Sequence, residues 1–297
     1  MRVAIHHRVI LFLFGLVSCA SIPSFAETTI PENLKKDNLV AWCIVPFDSK
    51  KRSPEERALM VSDLGLKRVA YDWREKHIVE FEREMLAYKE NGIEFFAFWK
   101  GHPEAYALFK KHGIHPQIWR TIPSGKGLSN AEKVLSTAKM LAPAAAEAKK
   151  HGLKFGLYNH GGWGGLPENM VLVCEELHHL GYENTGIVYN FHHAHHRIDS
   201  FTTDLSRLRP YLLCLNLNGM VHPKNHDVTQ LEFKIRSIKK GQLEEELIQT
   251  IIKSGYDGPI GILGHVATRD VEVVLTENLD GLQTILSSDQ ASSENSE

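Results

Sequence analysis

The sequence predicts an α/β fold, a single-domain (β/α)8 TIM barrel, and three observations predict it. Between Leu39 and Leu286, short apolar runs alternate with amphipathic helical stretches eight times. Most of those runs are continuously apolar, as parallel strands covered on both faces require. Polar and His-rich residues gather just after many of them, and the C-terminal strand ends are where such a barrel keeps its chemistry. A doubly wound open sheet is the alternative. It does not account for eight units, and no glycine-rich dinucleotide turn follows the first run.

The elements follow in order. The first strand is expected over 39–45 and its helix over 54–64, then a strand over 67–71 and a helix over 78–90. The third strand, 93–99, leads to a short helix over 103–111. The fourth, 116–120, is followed by a loop carrying Pro123, Gly125 and Gly127, expected to be mobile, and a long Ala-rich helix over 130–151. The fifth strand, 153–158, precedes a helix over 167–180 with proline at its first turn. The sixth is 185–189 with a helix over 198–208; the seventh is 211–217, followed by a longer excursion over 219–240 and a helix over 243–254. The eighth strand, 258–263, and a helix over 270–282 close the ring.

Residues 1–26 read as a secretory signal peptide. Arg2, His6, His7 and Arg8 make a cationic start, 9–17 is an apolar core too short to span a membrane as a mature helix, and Ser24-Phe25-Ala26 offers a small-x-small cleavage site. Leu16-Val17-Ser18-Cys19 also resembles a bacterial lipobox, in which Cys19 would carry a lipid anchor and begin the mature chain. Either processing exports the protein, to the periplasm or to an anchored position there. The barrel is then 27–286, and 287–297, almost without apolar residues, is expected to be a disordered polar tail.

Cys43, Cys174 and Cys214 each sit in an apolar pattern without CxxC spacing, which reads as buried thiols; a single Cys43–Cys214 bridge is the alternative, since both lie on predicted strands. The net charge of −2 and the absence of a basic stripe argue against a nucleic-acid partner.

The rim of strand ends is specific. Asp72, Trp73 and Arg74 follow the second strand; Trp99, Lys100 and His102 the third; Trp119 and Arg120 the fourth. Asn159, His160 and Trp163 lie in the glycine-rich turn after the fifth, and Asn190, His192, His193, His195 and His196 after the sixth. Asn216 and Asn218 alternate on the seventh, and His265 follows the eighth. Asn amides donate to and accept from hydroxyl groups. Indole faces stack on the apolar faces of sugar rings. Histidine moves protons near neutral pH. Arg74, Lys100 or Arg120 would hold a carboxylate, a phosphate or a developing enolate. Together they describe a pocket for a small polyhydroxylated molecule. Two of the four His at 192–196 are expected to face solvent, and His178 and His179 are expected on a helix surface.

These strand ends resemble the xylose isomerase-like TIM-barrel family, the sugar phosphate isomerase/epimerase group, over nearly all of the mature chain. Tyr158-Asn159-His160 resembles the family's Glu-Asn-His after strand five, and Asn190-Phe191-His192-His193 its Asp-x-x-His after strand six. Asn216-Leu217-Asn218 resembles its His-x-Asp region, and Gly255-Tyr256-Asp257-Gly258 its lead into strand eight, which in the family ends in Glu near the position of Leu263. The resemblance implies a divalent ion held by Glu, Asp, His and Glu, with the two Glu also moving a proton between adjacent sugar carbons. Here Tyr158, Asn190, Asn216 and Leu263 stand at those positions, so the inherited metal site is expected to be absent. A rebuilt site for Mn, Co or Zn on His160, His193 and His265 is the alternative.

The expectation is therefore an exported isomerase or epimerase acting on a non-phosphorylated sugar, keto-sugar or sugar acid. His160, His193, Asp72 and Arg120 would be catalytic. Arg74, Trp99, Lys100, Asn159, Trp163, Asn190, Asn216, Asn218 and His265 would bind substrate. A non-catalytic carbohydrate-binding barrel is the rival reading.

Overall fold

The computed structural model describes residues 30–127 and 129–294, with side chains through 288; the expected signal peptide and Cys19 lie outside the described residues. Eight parallel strands pair in chain order and close on themselves through β1 and β8. They are β1 (Val40–Trp42), β2 (Arg68–Tyr71), β3 (Glu94–Trp99), β4 (Gln117–Thr121), β5 (Phe155–Tyr158), β6 (Thr185–Asn190), β7 (Leu212–Leu217) and β8 (Ile260–Leu263). The helices are α1 (Pro54–Asp63), α2 (Phe81–Glu90), α3 (Pro103–His112), α4 (Asn130–Lys150), α5 (Pro167–His179), α6 (Phe201–Leu208), α7 (Leu231–Lys234), α8 (Glu244–Lys253) and α9 (Val271–Glu294).

Local chemistry explains the boundaries. Ser53 and Glu56 form a capping box before α1, and Ser129 and Glu132 another before α4. β1 is shorter than expected because Cys43 adopts a left-handed conformation (φ 58°), which ends the strand. α2 and α6 start later than the sequence predicts because 3-10 turns over Glu75–Glu80 and His195–Ser200 precede them. α9 passes its expected end and makes the first part of the expected disordered tail helical, as far as Glu294. No Gly or Pro follows Gly281 to stop it, and Leu282, Ile285 and Leu286 continue its buried face. A Cβ at Gly281 would lie 2.1 Å from the Ile238 carbonyl, so glycine there lets α9 pack against the excursion after β7.

Strand residues divide into two cores. Val69, Phe95, Ile118, Leu157, Ile187, Leu215 and Ile262 face the helices. Trp42, Phe96, Trp119, Tyr158, Val188, Cys214 and Leu263 fill the barrel interior, which is packed rather than open. Cys43, Cys174 and Cys214 are free thiols, so no Cys43–Cys214 bridge forms. Among the described residues no helix is long and apolar enough to cross a membrane.

Candidate active site at the C-terminal mouth of the barrel

Aromatic rings close the interior below the mouth. Trp42 faces Trp99, Trp119 and Tyr158 at centroid separations of 5.8, 5.0 and 5.9 Å. Its Nε1 donates to the Tyr158 hydroxyl (3.1 Å), and Trp119 Nε1 donates to Gln117 Oε1 (2.8 Å). Gly156 makes room for this packing: a Cβ there would lie 2.7 Å from Trp119 and 2.8 Å from Val188.

Across the ends of β5, β6 and β7 runs a ladder of amides. Asn159 Oδ1 accepts from the Asn190 main-chain N–H (2.8 Å) and from Asn190 Nδ2 (2.6 Å). Asn190 Oδ1 accepts from Asn216 Nδ2 (2.7 Å), and Asn159 Nδ2 donates back to the Asn190 carbonyl (3.1 Å). All three residues are fully buried. Burying amides is tolerable because they satisfy one another. β8 yields space for the ladder at Gly261, where a Cβ would lie 1.9 Å from Asn216 Oδ1.

A cavity of about 80 Å³ opens beside this ladder. Its walls carry Asp72, Arg74 and Cys43 on one side, the rings of Trp42, Phe47, Trp99 and Tyr158, and four imidazoles, His160, His192, His193 and His265. Asp72 Oδ1 accepts from the Val45 N–H (3.2 Å), which the turn at Cys43 brings over it, while Asp72 Oδ2 has no partner. The imidazoles lean on each other: His160 on His193 (4.3 Å between centroids), His193 on His192 (3.8 Å), and His265 on Phe47 (3.6 Å). The Nδ1 atoms of His192 and His265 are buried without a hydrogen-bond partner.

Burial sets the protonation. It raises the Asp72 carboxyl to about 7, with the charge of Arg74 opposing the rise. The same burial lowers His193 to about 2 and His265 to about 4, and holds His192 and His160 below the ordinary imidazole value; the nearby Lys234 charge adds to each effect. Burial also pushes the Cys43 thiol and the Tyr158 hydroxyl well up, so neither ionises near neutral pH. The mouth thus holds one carboxyl able to exchange a proton at neutral pH beside four neutral rings.

Of the residues expected from the sequence, Asp72, Arg74, Trp99, His160, His193 and His265 line this cavity. Asn159, Asn190 and Asn216 lie in the ladder, and Asn218 is buried with its Nδ2 on the Gly219 carbonyl (2.8 Å). Arg120 is exposed and outside the cavity, because Trp119, its neighbour on β4, takes the inward-facing position. Lys100 is likewise exposed and outside it, in a left-handed turn (φ 66°) at the end of β3. Trp163 turns away, its Nε1 donating to Asn130 Oδ1 (2.7 Å) at the start of α4. Trp42, Cys43, Phe47 and His192 join the wall without having been singled out for it. Lys234, half-buried, comes from the excursion after β7, the one long departure from the βα rhythm. That excursion is pinned by buried His195, whose two ring nitrogens face the carbonyls of Val221 and Lys234, each at 3.0 Å.

The residues do not fit the divalent ion that the family resemblance implies. The Tyr158 hydroxyl and the Asn190 and Asn216 amides are already bonded within the protein, and Leu263 offers no donor. The imidazoles pack against one another at tilted angles, and among the described residues no three His, Cys, Asp or Glu form a group able to hold a metal, the rebuilt set included. A larger hollow of about 670 Å³ lies between α6 and α8, around Thr202, Arg209 and Lys253, away from this chemistry.

No protein-family model matches the chain, and no curated protein matches its sequence. Solved structures do match. One is the probable 3-DHS dehydratase AsbF of Bacillus anthracis, involved in petrobactin synthesis (11% identity, TM-score 0.65, covering 83% of this chain and 98% of that one). Another is 3-keto-D-glucoside 4-epimerase YcjR of E. coli (12%, 0.62, 85% and 100%). A third is D-psicose 3-epimerase of Clostridium cellulolyticum H10 (13%, 0.58, 84% and 98%). At such identities the likeness is one of fold. The fold this chain shares with those proteins is the eight-stranded (β/α)8 barrel.

Proposed function

We propose that this is an exported, carbohydrate-active barrel that moves a proton next to the carbonyl of a small non-phosphorylated sugar or sugar derivative, as an isomerase, epimerase or related lyase does. The observation that carries the reading is Asp72: a buried carboxyl, raised to about 7, with one oxygen fixed by the Val45 N–H and the other unpartnered at the cavity wall. A base whose pKa lies near the working pH is well matched to proton abstraction. His193, lowered to about 2, is a poor base; a neutral imidazole instead donates a hydrogen bond to the oxygen that gains charge as the enediol forms. His160 and His265 serve the same end, and Trp99 supplies an apolar face for the ring. The fold likeness to a 4-epimerase and a 3-epimerase supports the reaction class as an analogy of fold. The signal-like N-terminus supports export.

The amide ladder favours a second reading, a carbohydrate-binding barrel without turnover, since amides stand where the resemblance implies acid and metal chemistry. One experiment separates the two. The protein is incubated in D2O with a panel of aldoses, ketoses and sugar acids, and proton NMR follows both binding and wash-in of deuterium beside the carbonyl. Exchange on one compound, lost in Asp72→Asn, is the expected result. Binding without exchange would establish the second reading, and neither binding nor exchange would sink both.

A further inference from the structure

The charges around the mouth are lopsided, which narrows the ligand of the proposed sugar site. Arg74 lines the cavity from the exposed end of β2. Its Nη1 donates to the Trp73 carbonyl (2.8 Å), its guanidinium lies 5.5 Å from the Phe47 ring centroid, and no carboxylate among the described residues pairs with it. Lys234 stands beside the 192–195 turn, where His195 Nε2 hydrogen-bonds its carbonyl; no ion pair or side-chain hydrogen bond engages its ammonium among the described residues. Its charge reaches all four cavity imidazoles. The one acid in the wall is Asp72; Asp199, in a separate hollow beside His195, is engaged by His222 (3.0 Å) and Lys224 (3.1 Å). Two cations without a carboxylate partner among the described residues therefore stand near one carboxyl and four neutral rings.

Depth adds to the argument. The cavity is small, so only the reacting end of a sugar can enter it, and the rest of the ligand must lie at the rim. Arg74, which lines the cavity, is exposed, and Lys234, whose carbonyl is held by His195 in the turn that also carries His192 and His193, is half-buried. A guanidinium fork grips a carboxylate with two parallel hydrogen bonds, and an ammonium adds a point charge.

We propose that the ligand is a sugar acid, bound with its carbonyl end against Asp72 and the imidazoles and its carboxylate between Arg74 and Lys234. The proposal rests on the reading of the cavity as a carbohydrate site. A phosphate ester is the other source of negative charge at a sugar's end. The reading of the protein as exported favours the carboxylate, because phosphorylated sugars are ordinarily kept inside the cell.

The test is isothermal titration of the purified protein with D-galacturonate, D-glucuronate, D-galactose and D-galactose 6-phosphate, repeated at raised salt. The expected result is that an acid binds about tenfold or more tightly than galactose, as one charge-assisted pair would give. Added salt should shrink that preference. Arg74→Ala and Lys234→Ala should each lower the affinity for the acid by about tenfold and reduce its advantage over galactose. Neither side chain is fully buried, and circular dichroism checks that the variants fold. Equal binding of galactose and its acids would overturn the charge argument while leaving a sugar site. Tighter binding of galactose 6-phosphate would overturn the carboxylate in favour of phosphate. Binding of none of them, with deuterium exchange also absent across the panel, would remove the carbohydrate reading itself.

Discussion

At the scale of single residues, Asp72 is set apart by what surrounds it. One oxygen is fixed, the other is buried without a hydrogen-bond partner, and burial brings the carboxyl to about 7. If it is the base, kcat/KM rises as pH climbs through about 7, because only the ionised form accepts the proton. Asp72→Asn should remove that rise and lower turnover by roughly 10²- to 10⁴-fold, the usual contribution of a positioned base. An unchanged pH profile in the variant would assign the base elsewhere. The sequence showed this residue, along with Arg74, Trp99, His160, His193 and His265, because position after a strand is legible in one dimension. Arg120, Lys100 and Trp163 share that position yet face away. Strand alternation and loop direction decide facing, and a one-residue uncertainty in a strand's phase inverts it. Cys43 was hidden for another reason. Its left-handed turn brings the Val45 N–H onto Asp72, and nothing in a Trp-Cys-Ile run announces such a turn.

At the scale of elements, the strands were the most legible part, since parallel strands buried on both faces read as continuous apolar runs. The amide ladder was half legible. The departure from the ligands that the resemblance implies is visible in the letters Tyr158, Asn190, Asn216 and Leu263, but only the closed barrel shows that three Asn from neighbouring strands bond to one another. The ladder makes two predictions. Asn190→Ala leaves Asn216 Nδ2 unpaired, while Asn159 keeps its two bonds to the main chain of residue 190, and should destabilise the barrel by about 1–3 kcal/mol, read from urea midpoints. Dialysis of the wild type against EDTA should leave the thermal midpoint where it was, since the ladder needs no ion; a large drop would mean that a metal site exists after all. The excursion after β7 makes a third. His195 joins Val221 to Lys234, so His195→Ala should free the segment and speed tryptic cleavage at Lys224 or Lys234. Equal cleavage rates in wild type and variant would show that other contacts hold it.

At the scale of the whole molecule, burying so many imidazoles has a consequence for pH. His77 and His265 are lowered to about 4, His193 to about 2, and His160 and His192 also lie below the ordinary value, in each case chiefly through burial. As pH falls through about 6.5 the unfolded chain takes up protons on these rings that the folded chain takes up only at lower pH, near 4 for His77 and His265. Stability is therefore present above pH 6.5 and is lost on acidification, with a limiting slope of about 1.4 kcal/mol per pH unit for each fully responding ring. Asp72 acts in the opposite sense. Its folded value exceeds the unfolded one, so it contributes stability at low pH that is lost as pH rises from about 4 to about 7. One carboxyl offsets one ring at most, and five rings face it, so the net slope has the sign of the imidazoles. Urea unfolding should give a clearly lower midpoint at pH 5 than at pH 7.5. In Asp72→Asn the offset is gone, so the decline should be steeper than in the wild type and the stability at pH 7.5 higher. A flat profile between these pH values would mean that the imidazole cluster takes up protons in the folded state. The mouth would then carry positive charge on acidification instead of the neutral rings on which proton transfer at Asp72 depends.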